Sequence, residues 1–349
     1  MIFDSYQNYY IEQLEKLISI PSPTGMCEEI ISYMCGALDE MGLEYQRTNK
    51  GDIYFTLGGN GDPIMVVAHL DTLGAQVKEI LSDGRLRIRP VGGLNPNNVE
   101  GENVIVHTKF DGDYEGTILI ENASTHVNKE YNVVRTFEKN LEVVLDKHVS
   151  SREDAVGLGI RHGDMVSIEP RFRISSDGFI KSRFLDDKMG VALLMTFVKY
   201  VLDQKLPLKR KTYIAFSVFE EVLHGIGSGL PDDIVELLAI DMGCVGVGLD
   251  GDETKVSIIA GDSHGPYDHQ ILKELISLCE EKSITYAVDS YTGYVSDASA
   301  ALHSGWDIRH AAFGPGVYAS HSYERMNIEG AENAFLLLVA YLLASEGAL

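Results

Sequence analysis

Histidine and acidic side chains follow several of the predicted strands, at the point where each strand ends. These side chains are His69 and Asp71, the pairs Asp186-Asp187 and Glu220-Glu221, Asp241, and His321 in the loop before the last helix. In open α/β sheets, ligands bind at the carboxyl ends of the strands. We therefore expect these side chains to converge on one site.

Two histidines and three carboxylates form a suitable ligand set for two divalent cations, because such metals accept both imidazole nitrogen and carboxylate oxygen. One carboxylate would have to bridge the two cations at a separation of about 3.5–4 Å. Two cations together lower the pKa of a shared water towards roughly 7. Glu220 would then carry a proton between this water and the leaving amine.

Each motif also has an ordinary structural explanation. A His-x-Asp segment is commonly a local hydrogen-bonded pair, and Asp186-Asp187 before a helix is a typical N-cap. Glu220-Glu221 is typical of a solvated strand end. Asp241 is harder to explain in this way, because a carboxylate that closes an apolar strand needs a partner. Only the complete set indicates a metal site.

Glu220 and Glu221 can serve the same site under one condition. Consecutive residues of a regular strand point to opposite faces of the sheet. The strand must therefore end at this pair, and the glycine-rich segment 224–229 is well suited to the turn that would follow.

The elements that must position these residues alternate between strands and helices from about residue 174 onward. Helical patterns cover 28–41, 189–204, 232–238, 268–282, 296–303 and 328–344. Apolar strand patterns cover 64–68, 212–219, 239–244, 256–260 and 308–313. This alternation predicts an α/β domain built from residues 1–74 and 174–349, with a mostly parallel central sheet covered by helices on both faces.

Residues 75–173 differ from the rest of the chain. Short alternating runs at 85–89, 103–109, 117–120, 141–145 and 165–168 are separated by glycine and aspartate turns. A short helical stretch is expected only at 151–158. The pattern predicts a small, barrel-like all-β domain inserted into the α/β domain.

Composition narrows the function further. The chain has 349 residues, and its 29 Lys+Arg against 52 Asp+Glu give a net charge of −23, which argues against nucleic acid or anionic lipid as partners. The four scattered cysteines fit a reducing compartment. No apolar run reaches the roughly 18 residues of a membrane span. We expect a soluble cytoplasmic protein.

Six motifs, in their order and spacing, resemble the glutamyl and deblocking aminopeptidases, the dinuclear metallopeptidases that form tetrahedral particles. The motifs are IPSPTG (20–25), AHLDTLGAQV (68–77), FLDDKMG (184–190), FEEV (219–222), AIDMG (239–243) and SHSYE (320–324). The resemblance covers essentially the whole chain. It implies a zinc-peptidase-like three-layer sandwich with the inserted β domain.

The resemblance also implies a role for each candidate residue. His69 and Asp241 would bind one metal, Glu221 and His321 the other, and the carboxylate of Asp186 would bridge the two metals. The resemblance also implies a cis peptide bond between Asp186 and Asp187. Glu220 matches the general base, and Asp71 matches the acid that orients the ring of His69. The implied cofactors are two divalent ions per subunit, zinc or cobalt, with manganese as an alternative.

Short peptides are the implied substrates, and the β insert is the implied dimer contact within a cage of twelve subunits. A plain dimer is the simpler alternative. The chain departs from the family pattern at Leu70, Thr72, Lys188 and Tyr323. None of these is an inferred ligand, so the departures bear on substrate preference.

Three other functions stay open at this point. A related dinuclear amidohydrolase, such as a deacylase, a carboxypeptidase or a dipeptide-amide hydrolase, would use the same site. A glycosidase that uses Glu220 and Glu221 is disfavoured. The two carboxyl groups of such an enzyme lie about 5–9.5 Å apart across a sugar, and adjacent residues cannot readily flank a bond in that way. A non-catalytic peptide-binding homologue would be expected to lack a ligand or the base.

Overall fold

The computed structural model describes residues 2–129 and 131–343. The first part of the chain forms α1 (Gln7–Ser19), α2 (Glu28–Glu40), β1 (Gln46–Arg47), β2 (Ile53–Gly58) and β3 (Ile64–His69). The next part forms β4 (Gly74–Ile80), β5 (Leu86–Val91), β6 (Asn103–His107), β7 (Asp113–Ile120), β8 (Leu141–Leu145), α3 (Arg152–Gly157) and β9 (Met165–Ile168).

The last part alternates strands and helices. Its elements are β10 (Arg173–Ile174), β11 (Phe179–Ser182), α4 (Leu185–Gln204), β12 (Thr212–Ser217), β13 (Glu236–Ile240), β14 (Gly243–Val245), β15 (Val256–Asp262), β16 (Gly265–Pro266), α5 (His269–Lys282), β17 (Tyr286–Ser290), α6 (Asp297–His303), β18 (Arg309–Tyr318), β19 (Glu324–Asn327) and α7 (Ile328–Leu342).

The central sheet is mixed. Its strands follow the order β1-β2-β12-β3-β13-β18-β19-β11-β10, with β14 beside β18 and β15 joining β18 to β17. The neighbours β12, β3, β13 and β18 run parallel, whereas β1, β2, β10, β11 and β19 pair antiparallel. The expected parallel order therefore holds at the centre, where the carboxyl ends of four adjacent strands lie side by side.

Burial explains why the sequences of the central strands are almost entirely apolar. Every residue of β3, β12 and β13 is buried, as expected for parallel strands covered on both faces. Helices α4 and α6 both contact β3, and α1 packs on α4. One continuous hydrophobic core joins these elements.

The helix expected at 232–238 is wrong. Residues 236–240 form β13 instead, between β3 and β18. The apolar run Leu237-Leu238-Ala239-Ile240 is too short to fill a helix face, and it is buried on both sides as a strand. The strand β17 has no counterpart among the sequence predictions. Residue 344, the last residue of the helix predicted at 328–344, lies outside the described residues.

The segment 74–168 forms a closed barrel in the order β4-β5-β8-β7-β6-β9. Its strands pair antiparallel, and their inward side chains form a second hydrophobic core, separate from that of the main sheet. Helix α3 begins as expected, with the Ser151 side chain accepting a hydrogen bond from the Asp154 N–H. The expected small all-β unit is present.

Arg183 connects the barrel to the loop that carries His321. Its side chain is almost completely buried. The guanidinium lies 3.1 Å from Glu102, donates to the carbonyl of Asn98, and donates to the carbonyl of Ser322 at 3.3 Å. Across residues 2–129 and 131–343, none of the helices has the length and apolar content that a membrane span requires.

Candidate metal centre

The carboxyl ends of the four parallel strands carry the predicted site residues. His69 is the last residue of β3, Glu220 and Glu221 follow β12, Asp241 follows β13, and His321 follows β18. Asp186 is the second residue of α4, with φ and ψ outside the helical region, and the Asp186–Asp187 peptide bond is cis as the resemblance implies. All these side chains except that of His321 are buried.

Glu220 and Glu221 reach the same site because the chain turns at this point, as expected. The strand β12 ends at Ser217, and Glu220–Val222 is a single turn of 3-10 helix. Phe219 and Leu223, on either side, both have left-handed backbone angles. The two glutamates therefore leave a turn instead of the opposite faces of a strand.

Asp186 lies between the two histidines. Its Oδ1 is 3.2 Å from Nε2 of His69, and its Oδ2 is 3.6 Å from Nε2 of His321. Nε2 of His69 is 3.7 Å from Oε2 of Glu220, and Nε2 of His321 is 3.7 Å from Oε2 of Glu221. The two imidazoles thus approach one carboxylate from different sides.

The ring of His69 is oriented by a backbone carbonyl. Nδ1 lies 2.9 Å from the carbonyl oxygen of Asp71, which can only accept a hydrogen bond, so Nδ1 carries the proton. The carboxylate of Asp71 is farther away, at 3.6 Å. In the neutral ring, Nε2 therefore carries the lone pair, as a metal ligand requires.

Asp187 joins His69 and Asp241 in a buried group whose potential ligand atoms all lie within 4.8 Å of one another. The sequence pattern does not mark Asp187 as a metal ligand. Its Oδ2 accepts from the backbone N–H of His69 at 3.1 Å, whereas Oδ1 is buried without a hydrogen-bond partner among the described residues. An unpaired buried carboxylate oxygen is costly, and a cation would satisfy it.

The electrostatics of the site also fit a cation. Burial raises the pKa of Glu220 and Glu221 well above the usual value, and burial together with nearby Asp186 raises the pKa of Asp241 to about 7. Burial opposes the charged form of His69, but its hydrogen bond to Asp186 and the surrounding carboxylates raise its pKa overall. Divalent cations would offset the repulsion among these carboxylates.

Three buried carboxylates hold the segment 217–226, which carries Glu220 and Glu221. The contacts are Asp52 with the N–H of Val218 at 3.1 Å, Asp71 with the N–H of Glu220 at 3.2 Å and of Glu221 at 3.4 Å, and Asp297 with the hydroxyl of Ser217 and the N–H of Ile226 at 2.7 Å. These contacts join distant parts of the chain, so no local sequence pattern indicates them.

Glu324 is a further buried residue at the site. Its Oε2 accepts from the backbone N–H of Asp186 at 3.2 Å, and its Oε1 accepts from the backbone N–H of His321 at 3.0 Å. One carboxylate therefore fixes the backbone of two candidate ligands. In the sequence, only its position as the last residue of the SHSYE motif links Glu324 to the site.

The β barrel also contacts the site. The carbonyl of Gly93, in the loop after β5, lies 3.2 Å from Nδ1 of His321. A Cβ atom at residue 93 would lie 2.6 Å from Nδ1 and 2.8 Å from Cε1 of that ring. The insert provides none of the predicted side chains, but its backbone orients one of them.

The candidate residues line a pocket of about 540 Å³ that opens to the surface. Asp186, Glu220, Glu221, Asp241 and His321 form part of its wall. The site therefore combines buried side chains that could hold a metal with an open pocket beside them.

Comparisons with known proteins agree with the resemblance. Residues 51–337 match the family model of the M42 glutamyl aminopeptidases. YhfE of Bacillus subtilis (strain 168), provisionally named an aminopeptidase, is 43% identical over 334 residues, which cover 95% of this chain and 96% of that protein. The glutamyl aminopeptidase of Lactococcus lactis subsp. cremoris (strain MG1363) is 25% identical over 215 residues, covering 60% and 59%.

Solved structures show the same fold. The TET aminopeptidase of the marine sediment archaeon Thaumarchaeota archaeon SCGC AB-539-E09 has a TM-score of 0.85 at 19% identity, over 95% of this chain and 96% of that one. The TET1 peptidase of Pyrococcus horikoshii, which can assemble into a tetrahedron or a large octahedral shell, has a TM-score of 0.82 at 25% identity, over 95% and 98%. The chain therefore belongs to the M42 glutamyl aminopeptidase family and is a peptide hydrolase.

Proposed function

We propose that this chain is a metal-dependent aminopeptidase that removes residues one at a time from the N-terminus of short peptides. The observation that carries the proposal is the position of the Asp186 carboxylate, which faces Nε2 of His69 at 3.2 Å and Nε2 of His321 at 3.6 Å. Glu220 lies beside His69 on the wall of the open pocket. Membership of the family supports the reaction class.

The donor set suits two divalent cations, zinc or cobalt, with manganese as an alternative. His69 and Asp241 would hold one, Glu221 and His321 the other, and Asp186 would bind both. Asp187 lies close enough to His69 and Asp241 to add an oxygen on their side. When bound, such cations supply Lewis acidity, which makes a water molecule a stronger nucleophile at neutral pH.

Glu220 is proposed as the general base. Its carboxylate would take a proton from the attacking water and return it to the amine that leaves. Asp71 supports it in two ways, because its carbonyl fixes the ring of His69 and its carboxylate fixes the backbone N–H of Glu220. Asp71 is thus proposed as a positioning residue, acting mainly through backbone contacts.

A set of three peptides of the same sequence tests the proposed reaction. One has a free N-terminus, one is N-acetylated, and one has a free N-terminus and a C-terminal amide. With added cobalt or zinc, mass spectrometry should show stepwise N-terminal shortening of the first and third peptides and none of the second. Removal of the acetyl group, loss of a C-terminal residue or loss of the amide alone would support a related amidohydrolase instead.

We also propose a cytoplasmic homo-oligomer. Residues 75–173 would form the dimer contact, and dimers would join into a twelve-subunit cage; residues 1–74 and 174–349 would form a three-layer catalytic domain. Exposed apolar side chains on the barrel, such as Phe110 and Val134, support a contact there. All four cysteines are free, which fits a reducing compartment such as the cytoplasm. Light scattering at moderate salt tests the assembly, and a monomer would contradict it.

Replacing Gly93 with alanine is expected to displace the ring of His321 and to weaken binding of one of the two metals by about 10–100-fold. The added methyl group would lie 2.6 Å from Nδ1 of that ring. Metal content after dialysis measures the effect. Gly157→Ala is the matched control in the same barrel, because a Cβ there has nothing within 4 Å. Equal metal retention in the two variants would refute the role of Gly93.

A further inference from the structure

The pocket beyond the candidate metal residues has an uncharged wall. Its side chains there are Leu223, Met242, Cys244, Tyr294 and Val295, with Ser263, Ser320 and His264 among them. Among the described residues that line the pocket there is no lysine or arginine, and each carboxylate belongs to the proposed metal and base set. A charged substrate side chain would therefore find no dedicated counter-charge on this wall.

The polar atoms of this wall are already engaged. The hydroxyl of Tyr294 donates to the carbonyl of Met242 at 3.1 Å. The hydroxyl of Ser263 donates to the carbonyl of Thr292 at 3.0 Å and accepts from the N–H of Tyr294 at 3.1 Å. These groups hold the wall in place and leave mainly its apolar surface for a substrate.

Among the described residues that line the pocket, His264 is the basic side chain outside the proposed metal and base set. It is exposed, and its ring stacks on that of His303 with centroids 4.6 Å apart and an angle of 20° between the planes. A ring in this position is hydrated and shared with a neighbour. It is therefore a weak partner for a substrate carboxylate, and its contribution can be tested by removal.

We infer that this pocket takes an uncharged, apolar N-terminal side chain, such as that of leucine or methionine, and that it disfavours glutamate and lysine. The inference rests on the proposed aminopeptidase function. A charged side chain would lose its hydration without gaining a partner, whereas an apolar one gains by leaving water. The glutamyl preference in the family's description would then not extend to this chain.

Four fluorogenic aminoacyl-coumarin amides, of leucine, methionine, glutamate and lysine, measure the preference with cobalt-loaded enzyme. Leucine and methionine are expected to exceed glutamate and lysine by at least about tenfold in kcat/KM. A higher kcat/KM for glutamate or lysine would overturn the inference alone. If the enzyme releases none of the four residues and also removes no residue from a free peptide, the proposed function is overturned as well.

Val295→Lys tests the wall directly, because Val295 is half-buried and lies just before the N-cap of α6. This variant is expected to raise the ratio of glutamate to leucine turnover by about tenfold, through the new ion pair with the substrate. Val295→Met is the matched control and should keep the wild-type order. An unchanged ratio of glutamate to leucine turnover in Val295→Lys would overturn the inference. So would a glutamate preference of the wild-type enzyme that disappears in His264→Ala.

Discussion

Glu220→Gln is expected to lower kcat by at least about 10²-fold while leaving the metal content nearly unchanged, in the range for loss of a general base. The amide keeps the shape of the side chain, but it cannot accept the proton of the attacking water. Steady-state kinetics on a free peptide and metal analysis of the same preparation give both values.

Glu15→Gln, on an exposed position of α1, is the control for the same chemical change away from the site. Near wild-type turnover in Glu220→Gln would show that another group is the base. A large loss of metal in Glu220→Gln would show that this residue is a ligand.

Asp186→Ala is expected to lose one or both metals and to have lower turnover than Glu220→Gln. Its carboxylate is the group that faces both His69 and His321, so its removal affects both halves of the proposed site. Inductively coupled plasma mass spectrometry of the dialysed variant gives the number of metals per subunit.

Asp307→Ala, in the exposed loop before β18, is the matched control and should keep the wild-type metal content. Two retained metals per subunit in Asp186→Ala would contradict the bridging role. In that case Asp187, which lies within 4.8 Å of His69 and Asp241, becomes the residue to replace next.

The strand ends of this chain could be predicted because of a simple contrast in the sequence. Apolar runs such as 64–68 stop at a histidine or a carboxylate, and such a stop is unusual in a core strand. The start of β13 was not predicted, because residues 232–238 follow Pro231 and suggested a short helix.

The parts of the site that could not be predicted depend on contacts between distant segments. Gly93 approaches His321 from the barrel, and Glu324 accepts from the N–H of Asp186 far along the chain. Asp297 holds the turn after β12 in a similar way. A glycine in a loop or an acid near a helix start has many ordinary explanations, so no local pattern identifies such roles.

Exhaustive chelation followed by metal addition tests the metal dependence of the proposed aminopeptidase most directly. Chelated protein should have no activity on a free peptide, and activity should return with cobalt or zinc as the content approaches two ions per subunit. Circular dichroism should show that the chelated protein is still folded, so that lost activity is not lost structure. Full activity in folded protein without bound metal would contradict the proposed function.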